Sequence, residues 1–486
     1  MKKGPFITSK NKTSKMMIHL FIALLPIILF SFYKNGYLPY KSGHSNTFGL
    51  IYPLILMGTG VITSFFTETI YYLLIKKLKG KELINKIKTS YVIFPGLFLA
   101  LVLPINTPLY LVCFGAFIAT FIGKLIYGGF GKNIFNPALI GVLLILTMYG
   151  GMISSLGGYA NNTEMFGYGE IDGVTAATPL SNIASAEGLG TYETLVEPYG
   201  GLSNFLFGYI PGSLGETSAF FCIIAFIYLT LTKTIKWRIP VFYVGTVAML
   251  TLLLGGLNGL GLWYTLFYIL SGGLLFGAVF MATDPVTSPV TKSGQIIYGC
   301  LLGLITFLLR FLTPYPEGVM TSILFMNMCV FLIDKFGVQI KFNKMKIAIP
   351  ILLLVIAGIT SVYLVNDKYK IEPVEKDPNN KKDTDFKVES KQENNNIIYT
   401  VTQRGFSSTI KAKVVFGLAG DIINIEILEQ DDSYFNKIEE ANFVNSLREG
   451  SPNVSEIDGV SGVTITSNAL KKMIENVVKE YEKEYK

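Results

Sequence analysis

Two short segments of the chain share a pattern in which a threonine hydroxyl ends a run of small residues. Asp172 to Thr178 reads Asp-Gly-Val-Thr-Ala-Ala-Thr, and Asp458 to Thr464 reads Asp-Gly-Val-Ser-Gly-Val-Thr. The residues that follow, Pro-Leu in the first copy and Ile-Thr-Ser-Asn in the second, are typical of helix starts. The pattern therefore predicts that each final threonine lies at the N-terminus of a helix.

A threonine hydroxyl at such a position is suited to carry a phosphate group. Free backbone N–H groups and the helix dipole stabilise the negative charge there, and small residues before the threonine would admit a modifying enzyme. Thr175 and Ser461 add a second hydroxyl to each copy, and Gly462 is one of the small residues. An ordinary turn followed by a helix cap would explain one copy, but two copies favour a functional role.

Two carboxylates lie in unusual places for an apolar chain. Glu68 lies inside a long apolar segment among several Thr and Ser residues, and Asp284 lies at a proline-containing interruption of another. A carboxylate inside a membrane is costly and is a candidate for ion passage, and a helix end at such an interruption can coordinate a cation or a flavin. The alternatives are a residue near the cytoplasmic boundary for Glu68 and a helix cap for Asp284. Asn136, at a similar interruption, has the same ambiguity.

The composition indicates that a polytopic α-helical membrane protein positions these groups. Of the 486 residues, 50% are hydrophobic and 15% are charged, against about 25% charged in an average soluble domain. The mean hydropathy is +0.46. About eleven apolar segments are candidates to cross roughly 30 Å of hydrocarbon. They run approximately Met16–Phe32, Phe48–Ile75, Tyr91–Leu103, Leu109–Ile122, Pro137–Ile153, Ser218–Leu231, Val241–Leu254, Trp263–Ala282, Ile296–Leu312, Val319–Ile333 and Ile347–Val365.

The distribution of Lys and Arg predicts the orientation of these segments. With a cytoplasmic N-terminus, 21 of the 24 Lys and Arg residues before position 367 lie inside, and Lys34, Lys41 and Arg310 lie outside. Residues 154–217 contain no Lys or Arg and seven acidic residues, as expected of an exported loop. Eleven spans then place the C-terminal part on the outer face of the cell membrane. The basic residues lie in loops beside apolar segments, which indicates contact with membrane lipid and not with nucleic acid.

The residues after the last apolar segment predict a small exported α+β domain. We divide the chain into a membrane domain (1–341), a transmembrane anchor (346–365), a flexible polar linker (366–395) and this domain (396–486). Alternating apolar residues on both sides of Gly420-Asp421 predict a β-hairpin. In the last segment, apolar residues recur at helical spacing and predict one buried helix face. They are Leu470, Met473, Ile474, Val477, Val478 and Tyr481.

Metal centres are not expected in this chain by itself. The four cysteines lie in apolar segments and form no C-x-x-C pair, so neither iron–sulfur ligation nor a disulfide framework is supported. They are Cys113, Cys222, Cys300 and Cys329. With two histidines in the chain, zinc and haem sites are not supported either. We assign no metal ligand and no catalytic residue.

The repeated pattern and three further segments resemble those of a known family. Residues 458–467 resemble the D-x-x-S-G-A-T flavinylation motif of the FMN-binding domain. Residues 172–180 are similar to the S-G-A-T-P-L version in the large membrane subunit of the Rnf and sodium-pumping NADH:quinone reductase complexes, and segments 131–138, 211–218 and 281–289 resemble the same protein. The chain therefore resembles a fusion of two Rnf subunits, the D subunit, which is related to the B subunit of the sodium-pumping reductase, and the G subunit.

The resemblance implies two FMN groups, each attached by a flavin transferase through a phosphoester to Thr178 or to Thr464. The other positions that it implies for flavin binding are those of the shared motif. They are Asp172, Thr175, Asp458, Ser461 and Gly462. In this chain Thr175-Ala176 replaces the usual Ser-Gly, and Val463 replaces the usual Ala, which are mild changes in size.

The implied function is electron transfer between ferredoxin and NAD with coupled export of Na⁺ or H⁺, within a multisubunit membrane oxidoreductase. The sequence contains neither iron–sulfur ligands nor a nucleotide-binding glycine motif, so partner subunits would supply both. One alternative is a role like that of the B and C subunits of a sodium-pumping NADH:quinone reductase. The other is a transporter without redox chemistry whose tail is structural or sensory, and the repeated threonine pattern argues against it.

Overall fold

The chain consists of two compact units, residues 1–371 and residues 372–486, in a computed structural model. The structure describes residues 13–43, 45–156, 158, 178–180, 189–216, 218–313, 318–342, 348–369, 387–393, 396–404, 409–417, 422–430, 438, 442–449 and 464–485. The two units are described separately below.

The first unit is helical, with apolar residues throughout its helices. Its described helices are α1 Thr13–Lys41, α2 Thr47–Ile75, α3 Gly80–Ser90, α4 Ile93–Val102, α5 Leu109–Leu125, α6 Pro137–Ser155, α7 Tyr192–Leu195, α8 Leu202–Phe207, α9 Ala219–Leu231, α10 Arg238–Leu257, α11 Gly261–Leu270, α12 Leu274–Met281, α13 Lys292–Leu312, α14 Val319–Phe342 and α15 Ala348–Tyr369.

Ten of the eleven apolar segments in the sequence fall on one of these helices each, and Trp263–Ala282 falls on the pair α11 and α12. Among the described residues, seven helices are long and apolar enough to cross a membrane, and the number is eight if the bent pair α11–α12 forms one span. Helices α5 and α9 are shorter apolar helices. Helix α4 has ten residues, which is about 15 Å of helix at 1.5 Å per residue. The prediction of a polytopic helical membrane protein is therefore confirmed at this level.

The segment Trp263–Ala282, which precedes the interruption at Asp284-Pro285, is a broken helix. Helices α11 and α12 meet at an angle of 60°, and the chain between them contains Gly272 with φ +65°. A Cβ on Gly272 would lie 2.6 Å from Leu180 Cδ1, so this glycine permits both the left-handed backbone and the close contact. Hydropathy does not give the position of the bend, because straight and bent apolar helices have the same composition.

Glycines bring several helices of the first unit into backbone contact. A Cβ added to Gly60 of α2 would clash with the carbonyl oxygen of Gly96 in α4, and the reverse substitution would clash in the same way. A Cβ on Gly141 of α6 would lie 2.5 Å from the Gly115 carbonyl oxygen of α5. Small residues at helix crossings permit this close approach, which is a main source of helix association in membranes.

The second unit is a small α+β domain. Its described part has a four-stranded antiparallel sheet in the order β1-β2-β3-β4. The strands are β1 Lys387–Glu393, β2 Asn396–Arg404, β3 Thr409–Phe416 and β4 Ile422–Glu429, and the helices are α16 Phe443–Glu449 and α17 Thr464–Tyr485. The rings of Phe416 and Tyr481 stack with centroids 4.5 Å apart, which joins α17 to the sheet.

Both secondary-structure predictions for this unit are confirmed. Strands β3 and β4 pair as the predicted hairpin. On α17, Leu470, Met473, Ile474, Val477 and Tyr481 are buried, and Val478 is partly buried against the same core.

The linker prediction for 366–395 is wrong at both ends of that range. Helix α15 continues to Tyr369, and residues 387–393 form β1. In the described part of the sheet, strand β1 lies at the edge, next to β2. Edge strands are commonly rich in charged residues, so the polar sequence Lys-Val-Glu-Ser-Lys-Gln-Glu is compatible with a strand although its composition indicates a linker.

The contact between α2 and α4 leads to a stability prediction. Gly96→Ala should lower the thermal unfolding temperature of the purified protein in detergent, because the added methyl group overpacks a backbone contact at a cost of about 1–3 kcal/mol. Gly58→Ala on the same helix as Gly60 is the control, since a Cβ there meets no atom within 4 Å. Equal unfolding temperatures for the two variants would contradict the close packing of these helices.

Candidate functional site

A buried ion pair joins α2 and α5 inside the first unit. Lys124 Nζ lies 2.8 Å from Glu68 Oε2, and the two side chains are 3% and 0% exposed. Lys124 Nζ also donates a hydrogen bond of 2.6 Å to the Ser90 carbonyl oxygen, and the Ser90 hydroxyl donates to Glu68 Oε1. Glu68 therefore lies in the interior of the unit, and its charge is compensated by a cation and a hydroxyl.

More hydroxyl groups lie next to this pair. Thr120 Oγ1 donates to Ser64 Oγ at 2.8 Å, and the hydroxyls of Tyr72 and Ser90 are 3.4 Å apart. The residues that carry these groups lie on α2, α3 and α5, and all of them are buried. The pair is thus the centre of a polar cluster within an apolar bundle.

Glu68 could be recognised as a candidate from the sequence, whereas Lys124 was missed. Lys124 follows the predicted segment Leu109–Ile122 by two residues, so it was counted among the cytoplasmic loop cations. In the structure it lies in a π-helical turn, Phe121–Leu125, that extends α5. Turns of this type are frequent at functional sites, and a single lysine between apolar residues was the available signal.

Lys124 also lines a cavity of about 90 Å³ in the first unit. The other polar side chains around the cavity include Asn133, Asn136 and Asp284, and its apolar lining comes from α1, α4 and α12. The structure therefore brings together Asp284, Asn136 and the partner of Glu68, which are far apart in the sequence.

Asp284 has the geometry of a turn cap at the edge of this cavity. Its carboxylate accepts hydrogen bonds from the backbone N–H of Val286 at 3.3 Å and from the Thr287 hydroxyl at 3.1 Å. Burial raises the pKa of Asp284 above its usual value, whereas these hydrogen bonds and the charge of Lys236 act in the opposite direction. Asp284 therefore lies on the cavity and caps a turn, and the helix-cap interpretation is wrong, because α13 begins at Lys292 and is capped by Thr291.

Asn327 of α14 connects the two proline-containing loops that carry Asn136 and Asp284. With its amide oriented to satisfy its neighbours, the side-chain oxygen accepts from the Asn136 backbone N–H at 3.0 Å, and the side-chain nitrogen donates to the Thr287 carbonyl at 3.1 Å. Asn136 itself caps α6 by accepting from the Ala138 N–H at 3.1 Å. Asn327 was missed from the sequence because nothing around it distinguishes it from any other polar residue of an apolar helix.

Thr178 is buried in the first unit, with 5% of its surface exposed. Leu180, two residues later, is fully buried in the apolar cluster formed with α11 and α13. A Cβ atom added to Gly272 would lie 2.6 Å from Leu180 Cδ1 and 3.5 Å from Arg310 Nη2, so these two side chains approach Gly272 together. Leu180 is therefore near a buried guanidinium, and a guanidinium is the side chain best suited to pair with a phosphate.

Arg310 is also held against the bend between α11 and α12. It donates to the Tyr268 carbonyl at 2.6 Å and to the Ser271 carbonyl at 3.4 Å. These carbonyls end α11, so the cation complements the negative end of the helix dipole. From the sequence, Arg310 was counted only as an outer cation and was not connected with Thr178.

The second threonine begins a helix, as its pattern predicts. Thr464 is the first residue of α17, so backbone N–H groups of the first turn are available to a negative group there. For Thr178 the structure describes a turn at 179–180, and residues 181–188 are outside the described part. Five of the predicted site residues are also outside it. They are Asp172, Thr175, Asp458, Ser461 and Gly462.

The fold and these buried groups define an integral membrane protein with an appended α+β domain. The chain belongs to the NQR2, RnfD, RnfE family, whose model matches residues 1–343. Residues 405–479 match the FMN-binding domain. The resemblance inferred from the motifs, a membrane subunit of the Rnf type joined to an FMN-binding domain, is confirmed.

Several curated relatives are similar to the first unit. The D subunit of the proton-translocating ferredoxin:NAD(+) oxidoreductase complex of Clostridium ljungdahlii is 36% identical over 344 residues, which is 70% of this chain and 95% of that protein. The D subunit of the Na(+)-translocating ferredoxin:NAD(+) oxidoreductase complex of Acetobacterium woodii is 34% identical over 333 residues, or 68% and 92%. The B subunit of the Na(+)-translocating NADH-quinone reductase of Chromohalobacter salexigens is 36% identical over 275 residues, or 54% and 63%.

The bridging role of Asn327 leads to a second stability prediction. Asn327→Leu keeps a similar volume but leaves the Asn136 N–H and the Thr287 carbonyl without this partner, which should cost about 1–3 kcal/mol. The expected result is a lower unfolding temperature in detergent. Met328→Leu, at the neighbouring exposed position, is the control and should unfold like the unmodified protein. An unchanged unfolding temperature for Asn327→Leu would show that the two loops do not depend on this amide.

Proposed function

We propose that this chain is the flavin-carrying membrane subunit of a complex that passes electrons between ferredoxin and NAD with coupled export of Na⁺ or H⁺. The observation that carries the proposal is that one chain combines two matches. Its first unit matches relatives that are named as subunits of such complexes, and its second unit matches an FMN-binding domain. Each unit, in addition, has one copy of the threonine pattern.

The proposed attachment sites are Thr178 and Thr464, each joined to FMN by a phosphoester. A bound flavin can accept one or two electrons and so links one-electron carriers to hydride chemistry. One structural feature in each unit supports this proposal. The first turn of α17 supplies N–H groups beside Thr464, and Arg310 supplies a cation near the segment that contains Thr178.

We propose that the enzyme that attaches the flavin recognises the other residues of the threonine motif. Asp172 and Thr175 in the first copy, and Asp458, Ser461 and Gly462 in the second, are the proposed recognition residues for a flavin transferase. Thr178 is covered in the folded unit, so attachment would take place before residues 178–180 pack against Gly272.

The proposed complex needs further subunits and a defined orientation. Subunits with iron–sulfur clusters and with an NAD site would supply the two ends of the electron path. We propose eleven spans in the cell membrane, surrounded by lipid, with the N-terminus in the cytoplasm and the FMN-binding domain on the outer face. The Lys and Arg distribution supports this orientation.

A role like that of the B and C subunits of a sodium-pumping NADH:quinone reductase is the second candidate. Its support is the relative of that name, which is 36% identical over 275 residues. The ferredoxin:NAD(+) type is preferred because the match to its D subunit spans 95% of that relative, against 63% for the quinone-reductase protein.

Glu68 and Asp284 are the proposed carboxylates of the ion path. Glu68 is buried in a cluster of hydroxyl groups between α2, α3 and α5. Asp284 lines the cavity that Lys124, the ion-pair partner of Glu68, also lines.

The flavin assignment predicts how much covalent flavin each variant carries. Thr178→Val and Thr464→Val should each lose about half of the in-gel flavin fluorescence of the denatured chain, and the double variant should lose all of it. Valine keeps the β-branched shape but lacks the hydroxyl that bonds to phosphate. Thr466→Val, two residues after the second site, is the control and should keep full fluorescence. Flavin that persists in the double variant would place the attachment points elsewhere.

The ion-path assignment predicts a selective loss of transport. In the assembled complex, Glu68→Gln and Asp284→Asn should each lower ion export by tenfold or more, which corresponds to about 1.4 kcal/mol. Flavin content and the amount of complex in the membrane should change less. Glu82→Gln, an exposed carboxylate on α3, is the matched control and should transport normally. Export at the unmodified rate by either variant would remove that residue from the path.

A further inference from the structure

The ammonium group of Lys124 is bound by oxygen atoms. Its Nζ contacts Glu68 Oε2 at 2.8 Å and the Ser90 carbonyl oxygen at 2.6 Å. The Ser90 hydroxyl donates to the other Glu68 oxygen and so lies beside the ion pair. A carboxylate, a carbonyl and a hydroxyl from a helix end are the oxygen ligands that small monovalent cations use inside membrane proteins. The atoms that hold the lysine could therefore hold a transported cation in its place.

We propose that Lys124 is a resident cation that occupies the Glu68 site between transport events and gives way to the transported cation, Na⁺ or H⁺. This rests on the proposed position of Glu68 in the ion path. If the transported ion is Na⁺, no covalent bond is made or broken in the exchange. If it is H⁺, the only covalent bond that forms is the O–H bond of the protonated Glu68. Glu68 always has one positive partner, which avoids the large cost of an isolated buried carboxylate.

The cavity next to the pair gives the lysine a second position. Lys124 lines this cavity of about 90 Å³, and one water needs only about 10–15 Å³ measured in the same way. The lysine side chain has a flexible four-carbon stem with a compact charge. Asp284 lines the same cavity, and in this proposal its carboxylate accepts the displaced ammonium group.

The charged and titratable groups around the pair are compatible with this exchange. Tyr72 of α2 contacts Ser90 through its hydroxyl, and Lys86 of α3 lies over the Tyr72 ring at 5.6 Å. Lys86 is exposed, so it adds a positive field without competing directly for the Glu68 oxygens. The positive field of Lys86 opposes a second cation near Glu68, which favours replacement of one cation by another over binding of both.

The test uses two substitutions of Lys124 that should act in opposite directions. In membrane vesicles that contain the whole complex, ferredoxin-dependent NAD⁺ reduction is measured against Na⁺ concentration at fixed pH, and against pH without added Na⁺. Lys124→Gln removes the competing cation, so the half-saturating concentration of the transported ion should fall by at least tenfold, and the maximum rate should fall because release is slower. Lys124→Arg should raise the half-saturating concentration, because a guanidinium binds a carboxylate with two hydrogen bonds.

The control and the outcomes separate this proposal from the ion-path assignment itself. Lys34→Gln removes another buried lysine, whose contact is the Ile210 carbonyl, and should leave half-saturation unchanged. If Glu68→Gln blocks export but neither Lys124 variant moves the half-saturating concentration, Lys124 is a fixed counter-charge and the exchange proposal is wrong. If Glu68→Gln exports normally, the ion path itself is wrong. If the Lys124→Gln complex does not assemble, the Lys124→Arg variant is the test. A half-saturating concentration at or below that of the unmodified complex would then overturn the proposal.

Discussion

A charge inside an apolar helical bundle requires a partner at hydrogen-bond distance, and the interior of the first unit is organised by this requirement. Glu68 and Lys124 satisfy each other across α2 and α5. Lys34 and Arg310 are buried as well and donate to carbonyl groups. The carbonyl groups that bind Arg310 are those at the end of α11, inside the unit. The interruption of that helix therefore exposes the polar atoms that stabilise the buried charge.

The helices could be predicted from the sequence because burial in lipid depends on composition alone. The position of the bend at Gly272 could not, since the close contact that requires a glycine there is with Leu180, about 90 residues earlier in the chain. The edge strand β1 was hidden for a different reason. Its polar residues are compatible with solvent on one side of a sheet, and only its pairing with β2 distinguishes it from a linker.

The candidate site shows the same limit. Glu68 could be recognised from the sequence because a carboxylate in an apolar segment is costly wherever its partner lies. Lys124 is 56 residues away, and its position after an apolar segment has the appearance of an ordinary loop cation. Asn327 and Arg310 act on atoms of distant loops, so only the folded structure relates them to Asn136 and to the segment that contains Thr178.

The shortness of α4 has a consequence for the response of this protein to voltage. A helix of about 15 Å covers only half of a roughly 30 Å hydrocarbon layer, and α11 also stops at Leu270, inside the bundle. Where polar groups and a cavity replace insulating side chains, the membrane potential falls over a shorter distance and the local electric field is stronger. A unit charge that crosses 100 mV changes in energy by about 2.3 kcal/mol. In the proposed ion path, the places where these helices stop would determine how much of that energy acts on the transported charge.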